Sequence, residues 1–317
     1  MATDTASRTA SPTLARLLDE ELAWSPSFHR HYSSHLAMAL VALEQLGAPP
    51  EVLQRTFDAH DLEPRDDAEV LEERRREVAR DGIAATVRAR VPSLVAGPHS
   101  QLFHPMIRLA YALDVGHEGQ VAAALLDWER RYQVLPVPGP TPGARRLPDA
   151  AADLAARPAG TWPHTFDLDG IARRPELAAA LAGVVRDDAT LDDISAFAIA
   201  AHTVADDFIT LHLVTGARAL RAISAWVDDD VARRLAAHAL PAMAVAYAAV
   251  GAPTPLARAE LDAVRHAPLP SREAIAERAI RDHDPHVVKL ANVALVEEAR
   301  TGDLLYRHSA ARVVGLR

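Results

Sequence analysis

A chain of 317 residues, 49% hydrophobic and 24% charged, has the composition of a globular protein able to bury a sizeable core. Its formal net charge of -9 leaves no basic excess to neutralise phosphates, which argues against a nucleic-acid binder. It contains no cysteine, which excludes disulfides, thiolate catalysis, iron–sulfur clusters and cysteine zinc sites, so any metal must be held by histidine and oxygen ligands.

Residues 1–12 are small and polar and lack the apolar core of a signal peptide. A disordered N-terminus on a cytoplasmic protein is therefore expected. Beyond it, helical periodicity recurs almost everywhere and strand-like alternation almost nowhere. The pattern predicts helices near 13–22, 29–47, 50–60, 68–80, 82–92, 105–115 and 118–132. Gly47 stops the second of these and Pro49-Pro50 opens the next. Arg74-Arg75-Arg76 alternates with Glu72, Glu73 and Glu77 and reads as a solvated, salt-bridged helix face. His104 stands directly before Pro105, at the mouth of a helix.

The clear interruption is Leu135–Pro148, LPVPGPTPGARRLP, which is either a linker between two domains or a surface crossover within one. After it, helices are expected near 174–186, 191–227, 230–250, 255–265, 271–282 and 285–300. Asp284 before Pro285 is the cap-then-proline start of the last. The most lipid-like stretch, Leu235–Val250, contains His238 and Pro241 and reads as a buried core helix, not a membrane span. The expected fold is all-α: a single large multi-helix domain over 13–317 with a site in its core.

The chain has 15 histidines. His60, His99, His117, His164, His266 and His308 read as surface or loop residues. His31 and His35, four apart, share a predicted helix face with Met38 and Ala42, so His35 should point inward. His104 is flanked by apolar residues, and His212 lies midway along the long predicted helix 191–227. His286 and Lys289 are three apart and project from one side of the last helix. Lys289 is also the only lysine among 34 basic residues counted as Lys+Arg. A buried lysine can lose its proton and act as a nucleophile, a base or a modified ligand, which arginine cannot. Inward histidines from several helices suggest a metal cage inside a bundle. No histidine has glutamate three residues before it, and His-Glu-x-x-His is absent, so ferritin-like and zincin-like sites fail on residue identity.

At these residues the chain resembles the questin oxidase-like family, in SSHLAMALVALEQLGAPPEVLQ (33–54), LFHPMIRLAYALD (102–114), TLHLVTGARALR (210–221) and HDPHVVKLANVALVEEA (283–299). It departs from the family at Ser34, where members carry asparagine, and is shorter than fungal members. The resemblance implies a mononuclear non-haem Fe(II) site held by His35, His104, His212, His286 and a carboxylated Lys289, with dioxygen as co-substrate. It further implies Baeyer–Villiger oxidation or oxidative ring cleavage of a polycyclic aromatic, anthraquinone-like polyketide or related phenolic ketone. A carbamate on Lys289 would bring the negative charge that four neutral imidazoles lack.

Tyr32 and His202 are candidate proton handlers, and Asp206 and Asp207 could orient a ligand. No Gly-x-Gly-x-x-Gly follows a strand, so a reductant such as NADPH would act through a separate reductase. Two other readings stand beside the oxygenase. One is a metal-free enzyme forming a Schiff base on Lys289. The other is a non-enzymatic α-helical small-molecule-binding protein whose histidines are merely buried.

Overall fold

The structure is a computed structural model that describes residues 9–28 and 32–317. Among the described residues it is all-helical, apart from a two-residue antiparallel pair, β1 (Ser27–Phe28) with β2 (Tyr32–Ser33). The first part of the chain holds α1 (Pro12–Glu21), α2 (Leu36–Gln45), α3 (Pro50–Asp58), α4 (Ala68–Asp81), α5 (Ile83–Arg90), α6 (His104–Val115) and α7 (Glu118–Arg130). After the proline-rich segment come α8 (Leu147–Ala155), α9 (Leu168–Ala172), α10 (Pro175–Leu181), α11 (Thr190–Val204), α12 (Phe208–Ser224) and α13 (Asp229–Ala249). The chain closes with α14 (Arg258–His266), α15 (Arg272–Ile280), α16 (Pro285–Thr301) and α17 (Leu304–Val313).

Most predicted helices recur within a few residues, and the exceptions have local causes. Within the expected disordered stretch 1–12, Pro12 already opens α1. The Ser11 hydroxyl caps its first turn and the Ser11 backbone N–H donates to Glu44 of α2 at 3.0 Å. The helix expected over 29–47 begins only at Leu36, because β1 and β2 occupy its first part. The long helix expected over 191–227 is two. It breaks after Val204, and Asp207 restarts it by accepting from the Ile209 N–H at 2.7 Å. Helices α8, α9 and α17 have no counterpart in the expected set. Of these, α17 buries Leu305, Tyr306, Ala310 and Ala311, chiefly against α16.

The segment 135–148 is docked along the protein. Arg145 N donates to the Gly183 carbonyl at 3.0 Å, and Val185 N to the Arg145 carbonyl at 2.9 Å. Gly143 lies so close to Gly183 that a Cβ there would clash with the Gly183 backbone. One apolar cluster draws on residues from both sides of the segment, from Leu14 through Trp128 to Val314. Near its middle, α6 packs on α2, α7 and α12, while α16 packs on α2, α12 and α17. The stretch read as a core helix is the second half of α13, buried throughout from Ala239 to Ala249. Among the described residues, no helix is long and apolar enough to cross a membrane.

Candidate metal centre

Where α2, α6, α12 and α16 meet, His35, His104, His212 and His286 converge, with one nitrogen of each within 4.8 Å of every other. Nε2 of His104 lies 2.7 Å from Nε2 of His35 and 3.2 Å from Nε2 of His212. Imidazoles bound to a first-row ion at about 2.0–2.1 Å place their nitrogens roughly 3–4 Å apart, so this spacing suits a shared ion.

Each histidine sits at the start of a helix, for a local reason. His35 is the N-cap of α2, so it reaches the cluster from a helix mouth and not from the face expected to be shared with His31. His31 itself lies outside the described residues. His104 opens α6 after three consecutive left-handed residues, Gln101 (φ 48), Leu102 (φ 54) and Phe103 (φ 68). Such conformations are costly for residues with a Cβ and survive where surrounding structure over-determines them. Here the turn aims the Gln101 carbonyl at His104 Nδ1, 2.5 Å away. It also seats the fully buried Phe103 against Gly216 of α12, where an added Cβ would stand 3.2 Å from the ring. That glycine lets α6 and α12 approach closely enough for their histidines to meet. His212 lies in the first turns of α12, not midway along a helix, because the expected long helix is broken at 205–207. His286, near the start of α16, is held by Asp284: one carboxylate oxygen accepts from the His286 backbone N–H at 2.8 Å and from its Nδ1–H at 2.9 Å.

The hydrogen bonds fix the tautomers. Carbonyls only accept, so Gln101 O requires a proton on His104 Nδ1, and Phe208 O, 2.7 Å from His212 Nδ1, requires one there. The Nε2 atoms of His104 and His212 are then bare lone pairs facing each other at 3.2 Å. Burial, followed by the charge of Lys289, pushes the His104 pKa down to about 3. Burial also holds His35, His212 and His286 below the ordinary imidazole value, with Lys289 adding to each. A shared proton is thus disfavoured, and a cation bound by neutral imidazoles would resolve the clash. His286 Nε2 is buried with no hydrogen-bond partner among the described residues, which makes it a third lone pair in the cluster.

Lys289, one helical turn beyond His286, is fully buried, and its Nζ has no hydrogen-bond partner among the described residues. Burial lowers its pKa to about 7, opposed by Asp284. A substantial fraction is therefore the neutral amine near neutral pH, the form that reacts with electrophiles. The Asp284 carboxyl lies below the usual carboxylate range, first through its bond from His286.

The cluster floors a cavity of about 560 Å³, lined by His35, His104 and His286 and walled by Phe166, Phe208, Ser33, His60 and Asp61. The Phe208 ring packs on His212 at 4.4 Å and on His286 at 4.8 Å. His60 was read from sequence as a surface or loop residue, yet it is half-buried on this wall. His99, read the same way, is buried with neither ring nitrogen partnered among the described residues. His60 ends a predicted helix and His99 lies between two, and nothing in the sequence marked either as buried.

His202 is elsewhere. Its Nδ1 meets the Ser309 hydroxyl at 2.6 Å and Arg312 at 3.1 Å, which ties α11 to α17, and it does not line the cavity. Asp206 stands beside His202 and Arg312, and Asp207 caps α12 and pairs with His164 at 2.8 Å. The acid that orients a clustered histidine is Asp284 instead. The side chain of Tyr32 lies outside the described residues.

No protein-family model matches the chain, and no curated protein matches it. The geometry of the site therefore carries the functional reading.

Proposed function

We propose that this protein is a non-haem iron(II)-dependent oxygenase that cleaves, or inserts oxygen into, a carbon–carbon bond of a polycyclic aromatic polyketide or related phenolic ketone. The observation that carries the metal is the pair of Nε2 lone pairs of His104 and His212 opposed at 3.2 Å, with both Nδ1 protons committed to carbonyls. His35, His104, His212 and His286 would hold the ion. When bound, Fe(II) supplies a redox-active centre for dioxygen chemistry.

The chain's own groups provide the rest. The neutral Lys289 amine adds carbon dioxide: an Nζ–C bond forms, a proton leaves to solvent, and the lysine ends in a carbamate anion. That anion would offset the ion's charge and occupy the space around an otherwise unpartnered Nζ. The four histidines lie at or near the starts of α2, α6, α12 and α16, and the partial positive ends of helices favour anionic groups beside them. Phe166 and Phe208 present aromatic surface to whatever binds above the histidines. Insertion of one oxygen atom, with the second leaving as water, needs two electrons and two protons from an external reductant such as NADPH. Cleavage that retains both atoms needs none.

A metal-free lysine enzyme draws on the same buried Nζ but gives the converging imidazoles no task. Metal analysis separates the two readings. Protein purified aerobically and anaerobically should hold close to one iron per chain, and His286→Ala and Lys289→Ala should each lose most of it. A wild-type protein with only a small fraction of iron under both conditions refutes the oxygenase. Borohydride trapping of a carbonyl ligand on Lys289 would then support the Schiff base.

A further inference from the structure

The cavity wall carries one ionisable ring that the cluster does not use. His60 and Asp61 line the cavity together with His35, His104 and His286. Asp284 lines it too, but its carboxylate is committed to His286. His60 is not one of the four converging histidines. Its ring is half-buried and makes no hydrogen bond or ion pair among the described residues. The backbone nevertheless fixes its position. His60 directly follows the turn that ends α3, a helix anchored by buried Leu53 and Phe57, and its N–H donates to the Phe57 carbonyl at 3.2 Å. Beyond it, Ser25 N donates to the Glu63 carbonyl at 2.7 Å and Arg65 Nε to the Leu22 carbonyl at 2.9 Å. The ring is thus held at the cavity while its nitrogens stay unused by the fold.

Burial holds this imidazole below its ordinary value, against the opposing charges of Glu21 and Asp61. Near neutral pH the ring is therefore a neutral base with one bare nitrogen. The neighbouring Asp61 carboxylate would stabilise the cation formed when that nitrogen takes a proton, the arrangement a general base requires.

We infer that His60 is the base of this cavity, whose bare ring nitrogen accepts the proton of a hydroxyl group on the bound molecule. The O–H bond breaks, an N–H bond forms, and the electron pair stays on the oxygen, so the step needs no oxidant or reductant. The inference rests on the cavity being the substrate site of the proposed oxygenase. It gives that reading a proton acceptor at the cavity, where His202 is not found. Titration of metal-free, full-length protein with 2-naphthol and with its methyl ether, 2-methoxynaphthalene, tests it. Both probes carry the oxygen, and only one carries the proton.

Wild type should bind 2-naphthol more tightly than the ether, and His60→Leu should reduce that preference by about 3- to 10-fold, the worth of one hydrogen bond. His60→Gln keeps a neutral acceptor and should keep most of the preference. As pH falls below neutral, protonation of His60 removes its lone pair, so the wild-type preference should fall while that of His60→Gln holds. Glu21, Asp61, Asp284 and the clustered histidines are common to both proteins, so the difference between them isolates His60. Both variants lose no bond made by the ring, so they fold, and when reconstituted they should hold as much iron as wild type. An undiminished preference in His60→Leu, parallel pH responses of wild type and His60→Gln, iron lost with His60, or no binding by wild type overturns the inference. A His60-dependent preference in a protein that takes up no iron would retain it while refuting the oxygenase, and iron without that preference would do the reverse.

Discussion

Asp284 can separate helix capping from the metal-orienting role that the proposed iron centre would give it, because one oxygen makes both bonds. Its Oδ1 accepts from the His286 backbone N–H at 2.8 Å, capping α16, and from the His286 ring at 2.9 Å, aiming Nε2 at the cluster. Asparagine caps a helix as well as aspartate does, and its carbonyl oxygen can take both bonds, but it brings no charge. Asp284→Asn should therefore change stability by less than about 0.5 kcal/mol on the capping term. Charge-assisted bonds are about twice as strong as neutral ones, and losing a partner that orients a metal-binding histidine typically costs about 10- to 100-fold in metal affinity. The Asn variant should fall near the lower end of that range, since one neutral bond survives. Asp284→Ala should reach the upper end and also lose about 1 kcal/mol of stability with the cap. Anaerobic competition for Fe(II) against a chromophoric chelator reads the affinity, and urea unfolding of the metal-free protein reads the stability. If Asp284→Ala loses stability but keeps its iron affinity, Asp284 is only a cap and the orienting role is wrong.

The burial of Lys289 also has a signature in pH. Its pKa falls from an ordinary 10.5 to about 7 in the folded protein, so between those values the unfolded chain holds a proton that the folded chain lacks. The stability of metal-free, carbon-dioxide-free protein should then rise with pH across about 7 to 10.5, this residue contributing a slope of up to about 1.4 kcal/mol per pH unit. Lys289→Met should flatten that slope, and thermal melts that remain parallel for the two proteins would show that the amine is not buried neutral. For His202, replacement by alanine leaves Ser309 and Arg312 short of a partner and should cost about 1–3 kcal/mol, with iron content unchanged. Loss of iron at retained stability would put His202 in the centre instead.

The helical class and most helix positions were legible because an alanine- and leucine-rich chain with a 3.6-residue apolar period has few other ways to bury itself. The convergence was legible only in outline. His35 was expected inside a helix, yet the two-strand pair delays α2 until Leu36 and makes His35 its cap. Periodicity could not show this, since an apolar helical pattern runs through the turn. The break at 205–207 was hidden likewise: Asp206-Asp207 read as a possible ligand-orienting pair, whereas Asp207 is a cap that restarts the helix. Asp284 was legible as a cap, but its second bond depends on the ring orientation of His286, which no spacing rule specifies. The cavity wall was the least legible part. Ser33, His60, Phe166 and Phe208 come from separate stretches of chain and share no pattern until folding brings them together.

These local breaks have a common physical consequence at the centre. Had His35 and His212 lain in mid-helix, as their surroundings suggested, the site would be walled by closed backbone hydrogen bonds with little net potential. Instead His35 and His104 stand at the mouths of α2 and α6, and His212 and His286 lie within the first turns of α12 and α16. Four helix starts, with their partial positive ends, therefore lie near the cluster, two of them capped by the carboxylates of Asp207 and Asp284. A dication held there by neutral imidazoles would gain from an accompanying anion. In the proposed site a carbamate on Lys289 would be such an anion, made from the lysine already buried there. If Lys289 carries the proposed carbamate, replacing this one amine by a neutral side chain would remove an anionic ligand from beside the four helix starts.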